Sequence, residues 1–168
     1  MTNNIVLFAP EIPSNTGNIA RTCAGTDAHL HLIRPLGFSL DEKHLKRAGL
    51  DYWDQVNITY HDSLDDFMEY LPKQARLFLV SKFADKMYTD IDYTIECDDY
   101  LMFGRETKGL PEKFMRENMD KCIRIPMTDK IRSLNLSNSV AIVLFEVLRQ
   151  QNFSGLELTH EYPHDKLK

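Results

Sequence analysis

Between Cys122 and Gln150 the chain passes from a strand pattern to a helix pattern across one short polar loop, and few folds accommodate that succession. The apolar run Cys122–Ile125 ends at Pro126, because proline has no N–H to give to a sheet ladder. Asp129, Lys130 and Arg132 make the following loop polar. Ser133, Asn135, Ser137 and Asn138 then crowd one segment. Short side chains of this kind accept hydrogen bonds from the orphan N–H groups of a first helical turn. Leu136, Val140, Val143, Leu144, Val147 and Leu148 recur at spacings of three and four, which is one apolar face of a helix. A strand, a polar loop and a helix start rich in free N–H groups make a ligand-binding element of an α/β protein.

The rest of the chain repeats the alternation. Apolar runs at Asn4–Ala9, Ala28–Ile33, Val56–Tyr60, Arg76–Val80 and Tyr100–Phe103 read as strands, with Cys122–Ile125 the sixth. Between them, Asn18–Thr26 reads as a short helix after a turn-rich loop at 10–17, and Asp41 caps a helix to Ala48. Ser63 caps another, with Leu64, Phe67, Met68 and Leu71 on its apolar face, and Pro111 opens a third at the first helical position. Six strands alternating with helices predict an α/β protein with a mostly parallel six-stranded sheet covered by helices on both faces. At 168 residues the expectation is a single domain over 1–168, with a polar C-terminal tail from about 152.

Composition narrows the class. No run approaches the 18 or more apolar residues of a membrane span, and the N-terminus lacks the basic region of a signal peptide. Cys23, Cys97 and Cys122 have neither metal nor redox spacing, so reduced thiols in a cytoplasmic protein are expected. The formal net charge is −5, which on its face disfavours a nucleic-acid partner. Clustered cations outweigh net charge, however, because counterion release depends on local phosphate contacts.

Three segments carry chemistry. In Pro10–Arg21 the arginine falls one turn after Asn18, where a guanidinium suits a phosphate, although a surface arginine after an ordinary turn has the same pattern. Lys43, Lys46 and Arg47 share one helix face and lead into Tyr52 and Trp53. Cations beside aromatics suit an unpaired nucleic-acid strand, though a solvated helix beside core aromatics fits equally. In Leu101–Pro111, Gly104 and Gly109 match the first part of a phosphate-binding P-loop, but Leu110 and Pro111 stand where Lys and Ser or Thr are required. A strand ending in Gly104, followed by Arg105, Glu106 and Lys108, still places polar groups where α/β proteins bind ligands. His29 and His31 alternate with leucines and are expected on the solvent side of a strand, with no metal site. Asp98 and Asp99 read as a solvated turn, and Ser133 lacks the elbow of a hydrolase nucleophile.

Taken together, Asn15–Arg21, Met102–Pro111 and Ile125–Asn138 resemble, in order and separation, the three motifs of the SpoU–TrmD (SPOUT) RNA methyltransferases. Arg47–Trp53 adds a likeness to the TrmL-type branch, a minimal single domain acting on the ribose 2′-OH of the tRNA wobble nucleotide. The resemblance implies a deep trefoil knot in the C-terminal part, a homodimer with composite sites, and S-adenosylmethionine as methyl donor. The implied substrate is the anticodon stem-loop of tRNA, at a C or modified U in position 34, with leucine tRNAs the expected class. By motif position it assigns Val80, Met102, Gly104, Ile125, Ser133 and Leu134 to the cofactor, and Arg21, Glu106 and Asn138 to catalysis. Lys43, Lys46, Arg47, Lys108, Lys130 and Arg132 are the candidate RNA surface. Phe145 stands where some relatives have Tyr, so a hydroxyl is missing there. Arginine is a poor base, so positioning is the expected role of Arg21. The competing readings are a non-catalytic RNA-binding relative and an unrelated flavodoxin-like ligand domain.

Overall fold

The computed structural model describes residues 2–39 and 53–159. The helix expected from Asp41, with Lys43, Lys46, Arg47 and Tyr52, lies outside the described residues. Six strands, β1 (Asn3–Phe8), β2 (His29–Ile33), β3 (Ile58–His61), β4 (Arg76–Val80), β5 (Asp99–Phe103) and β6 (Cys122–Ile123), form one sheet in the order β3-β2-β1-β5-β4-β6. Every pairing among them is parallel. Among the described residues four α-helices cover it: α1 (Pro13–Thr26), α2 (Leu64–Tyr70), α3 (Glu112–Glu117) and α4 (Leu136–Gln150).

Alternation along the strands builds two cores. Ile5, Leu7, Leu30, Leu32, Leu101 and Phe103 pack with Ile19 and Cys23 of α1 and with Val140, Val143, Leu144 and Val147 of α4. Val6, Phe8, Ile33, Leu79, Tyr100 and Met102 face the other way, against Phe67 of α2 and Phe114 and Met115 of α3. Phe153 and Leu156 also pack against the first core, so the ordered chain runs past residue 152. The first halves of the chain step from β1 to β2 and β3 in one direction, whereas β5, β4 and β6 lie on the other side of β1. The carboxyl ends of β1 and β5 therefore flank a topological switch point, where open α/β sheets bind ligands.

Several boundaries differ from the sequence reading, each for a physical reason. Helix α1 begins at Pro13, not Asn18, so Arg21 sits more than two turns inside it. Its N-cap, Ile12, has no side-chain cap, and the acceptors for its entry come from elsewhere in the chain. Pro111 is the residue before α3 and not its first. Strand β6 stops at Ile123, because the chain then leaves β4 and bridges Met87 through Arg124. Ser63 does cap α2, its hydroxyl accepting from the Asp66 N–H at 3.0 Å.

Two polar expectations are overturned. Asp99 is not solvated: it is fully buried, and its carboxylate accepts from Arg76 Nε at 2.7 Å and from a terminal guanidinium nitrogen at 2.8 Å. Burial pushes the Asp99 carboxyl up, and the guanidinium opposes that rise. His31 is likewise fully buried, because both faces of a parallel sheet are covered and alternation no longer separates core from solvent. Its ring stacks on His29 at 4.3 Å between centroids. Its Nδ1 lies 3.0 Å from His61 Nε2, and its Nε2 lies 3.3 Å from Asn4 Oδ1.

Burial, then the neighbouring His29 and His61, push His31 down to about 3, and burial also lowers His61. These rings fold neutral. Their contribution is complete above the unfolded value near 6.5 and is lost as pH falls toward 3, because the unfolded chain takes up the protons first. At pH 5 the deficit from His31 alone is about 2 kcal/mol. Urea unfolding midpoints should fall between pH 7.5 and pH 5, and His31→Gln should remove most of that slope. An unchanged slope in the variant would refute the assignment.

Candidate functional site

The carboxyl ends of β4 and β5, the start of α1 and the loop from β6 to α4 surround a cavity of about 430 Å³. This falls in the size range of small-ligand sites. Val80, Leu110, Ile125, Leu134 and Leu136 give it apolar walls, and Ser81, Ser133, Asn135 and Ser139 add polar atoms. The loop from Gly104 to Gly109 forms its rim. It closes on itself through Arg105 N–H to Gly109 O at 3.2 Å and Gly109 N–H to Arg105 O at 2.9 Å. Gly109 has φ +69°, and a Cβ on Gly104 would lie 2.2 Å from the Gly109 carbonyl carbon. Close backbone approach, rather than a phosphate cradle, is what the two glycines allow.

Three distant segments are tied together at this rim. The Glu106 carboxylate accepts from the Glu11 N–H at 2.8 Å, the Ile12 N–H at 3.1 Å and the Asn15 side-chain amide at 3.2 Å. It thereby supplies the negative group that the N-terminus of α1 favours. Asn15, itself buried, accepts from the Asn135 side-chain amide at 3.1 Å. Asn135 in turn caps α4, its Oδ1 accepting from the N–H groups of Ser137 at 2.9 Å and Asn138 at 3.2 Å. A second tie runs the opposite way: Glu11 accepts from the Thr107 N–H at 3.1 Å and from its hydroxyl.

Of the residues expected at a cofactor, Val80, Gly104, Ile125, Ser133 and Leu134 line the cavity together. Met102 is not on its wall; it is fully buried in the core on the opposite sheet face. Glu106, Lys108 and Arg132 are on the rim, while Lys130 is exposed and away from it. Arg21 and Asn138 are exposed and do not line the cavity of their own chain. Arg21 lies on the outer face of α1 with Asn18; Asn138 shares the outer face of α4 with Ile142, Phe145 and Arg149. Asn15 and Asn135 were missed by motif position. Asn135 carried a signal, being the short polar residue just before the apolar periodicity. Nothing local marks Asn15 as the bridge.

The cavity fits an adenosyl group: flat apolar walls for a base, and hydroxyls and amides for a sugar and an amino acid. Among the described residues no group of three or more His, Cys, Asp or Glu side chains could hold a metal ion, and no helix is long and apolar enough to cross a membrane.

Comparison with known proteins points the same way. Residues 2–145 match the model of the SpoU rRNA Methylase family. A protein of Lactococcus lactis subsp. cremoris (strain MG1363), named "Putative tRNA (cytidine(34)-2'-O)-methyltransferase", is 59% identical over 168 residues, covering 99% of each chain. A solved structure described as "Structural insights into the 2-OH methylation of C/U34 on tRNA" superposes with a TM-score of 0.82 at 43% identity. It covers 90% of this chain and 97% of the other. An AdoMet-bound rRNA methyltransferase from Sinorhizobium meliloti has a TM-score of 0.75 at 26% identity, covering 88% of this chain and 56% of that one.

Both oxygens of Glu106 act only as acceptors here. Glu106→Gln should therefore cost nearly as much as Glu106→Ala, about 1–3 kcal/mol, because the new NH₂ meets an N–H. Chemical denaturation of the three proteins checks this, and a Gln variant as stable as the parent would exclude it.

Proposed function

The chain belongs to the SpoU rRNA methylase family, and from that premise we propose that it methylates the ribose 2′-hydroxyl of the wobble nucleotide, position 34, of tRNA, using S-adenosylmethionine. The observation that carries the reading is the single cavity on which residues from all three sequence motifs converge. The substrate follows from the relatives, which share half or more of their residues with this chain over nearly its whole length.

When bound, S-adenosylmethionine supplies an activated methyl group. The chain's own residues bind, orient and shield. Val80, Ile125 and Leu134 would hold the adenine, and Ser133 and the backbone at Gly104 would meet the polar atoms of the nucleoside. Lys108 and Arg132 add positive charge at the mouth, where a phosphate would pass. The target oxygen must be held in line, about 3 Å from the methyl carbon. Arg21 suits that alignment by gripping an adjacent phosphate, a positioning role rather than that of a base.

Arg21 does not line the cavity of its own chain, which motivates the second part of the proposal: the working unit is a homodimer whose sites take Arg21 from a second copy. The outer stripe Asn138–Ile142–Phe145–Arg149 of α4, beside α1, supports it. Ile142 is 38% and Phe145 47% exposed, more apolar surface than a solvated helix face usually carries. The knotted path of the C-terminal part belongs to the same reading.

Purified protein should methylate an anticodon stem-loop at the 2′-oxygen of C34 or U34, and a 2′-deoxy sugar at 34 should abolish the product in mass spectrometry. Methylation of a base, or of another position, would overturn the assignment. Arg21→Ala should lower turnover at least about a hundredfold while retaining affinity for S-adenosylhomocysteine. Mixing Arg21→Ala with Gly104→Ala should recover activity through mixed dimers; no recovery would reject the composite site.

A further inference from the structure

Beside the cavity, on the far side of the 104–109 rim, lies a second groove of about 760 Å³. Phe83 lines both. It is 65% exposed, on the loop that follows β4, where the Ser81 hydroxyl accepts from its N–H at 3.3 Å. A phenyl ring held this far into solvent forgoes the burial that stabilises most phenylalanines. Nothing in the folding of the sheet requires it.

We propose that this groove binds one unpaired nucleotide of the RNA, the one adjoining the methylated residue, with its base stacked on Phe83. The inference rests on the reading of the chain as an RNA methyltransferase. Leu110, Met115 and Met119 provide an apolar floor. The two methionines can adapt to either size of base. Charge complements a phosphate: Arg105, Lys108 and Arg116 line the groove against one acid, Glu112, which already pairs with Arg116. The Lys82 ammonium lies 5.2 Å from the Phe83 ring centroid, adding a further cation. This local excess of positive charge opposes the chain's net charge of −5. Continuity fixes the register. Groove and cavity share Phe83, Arg105 and Lys108, so a strand with its reacting sugar at the cavity mouth reaches the groove with its next nucleotide. Ring stacking is tolerant of base identity, so the groove contributes affinity and placement rather than sequence choice.

The test is a cycle of RNA affinities measured without methyl donor, using a fluorescent anticodon stem-loop and copies abasic at either neighbour of position 34. Phe83→Ala should weaken binding of the intact stem-loop about tenfold. One abasic copy should lose as much with the parent protein, yet lose nothing further with Phe83→Ala. Phe83→Trp should restore affinity, and Met119→Glu, which touches only the groove, should weaken it. Losses that simply add, or a Phe83→Ala variant that binds like the parent, would overturn the proposal. So would a Met119→Glu variant that changes self-association and leaves RNA affinity alone, since the groove would then belong to a second copy. If the parent binds the stem-loop but never methylates it, the methylation reading fails while the cycle still decides the groove.

Discussion

One carboxylate fixes the geometry of the site. Glu106 has acceptor capacity for several donors, and it is satisfied by two backbone N–H groups at the entry to α1 and one amide from Asn15. The partners lie more than ninety positions away in the chain. Without them α1 would begin with unsatisfied donors, for Ile12 offers no cap. Without Glu106 the 104–109 loop would keep only the Thr107–Glu11 tie to the segment that follows β1. Asn15 then passes the constraint on to Asn135, and Asn135 sets where α4 starts. The cavity is thus a gap that the sheet topology opens and that this chain of hydrogen bonds holds at one width.

The two ends of the sheet do different work. At the amino ends of β4 and β5 the fully buried Asp99 carboxylate is doubly hydrogen-bonded to Arg76, whose side chain stays partly exposed and also donates to the Asp92 carbonyl at 2.8 Å. Breaking such a pair costs several kcal/mol, about 3–5, because one charge is left without a partner. At the carboxyl ends the side chains are serines, asparagines and exposed cations, with loops in place of strands. Stability is concentrated where no ligand is expected, and the adaptable groups stand where one is.

Strand positions, the parallel sheet and the capped α2 were legible because burial on both faces leaves continuous apolar runs and because Ser63 signals locally. The core face of α4 was legible for the same kind of reason, its period. The start of α1 was not, since its acceptors belong to Glu106 and Pro10–Gly17 carries every mark of a turn. The buried His31 and Asp99 were misread because their partners, His61 and Arg76, lie on neighbouring strands that only the topology makes adjacent. Five of the residues named by motif position line the cavity and Met102 does not, because alternation on β5 sends that side chain to the other core.

Charge is arranged along the same axis. Asp92 and Glu96 are exposed, and Asp98 half-exposed, around the amino ends of the strands. Lys82, Arg105, Lys108 and Arg132 gather at the carboxyl ends. A polyanion approaching from a distance feels the net negative charge only weakly through physiological salt, with a screening length of about 8 Å. Close in, it meets the cations gathered at the carboxyl ends of β4 and β5. An acidic protein with a polar distribution of this kind therefore discriminates between its own faces, which a uniformly basic surface could not do. Net charge alone would argue against a nucleic-acid substrate; the local gathering of cations beside the cavity offsets that argument.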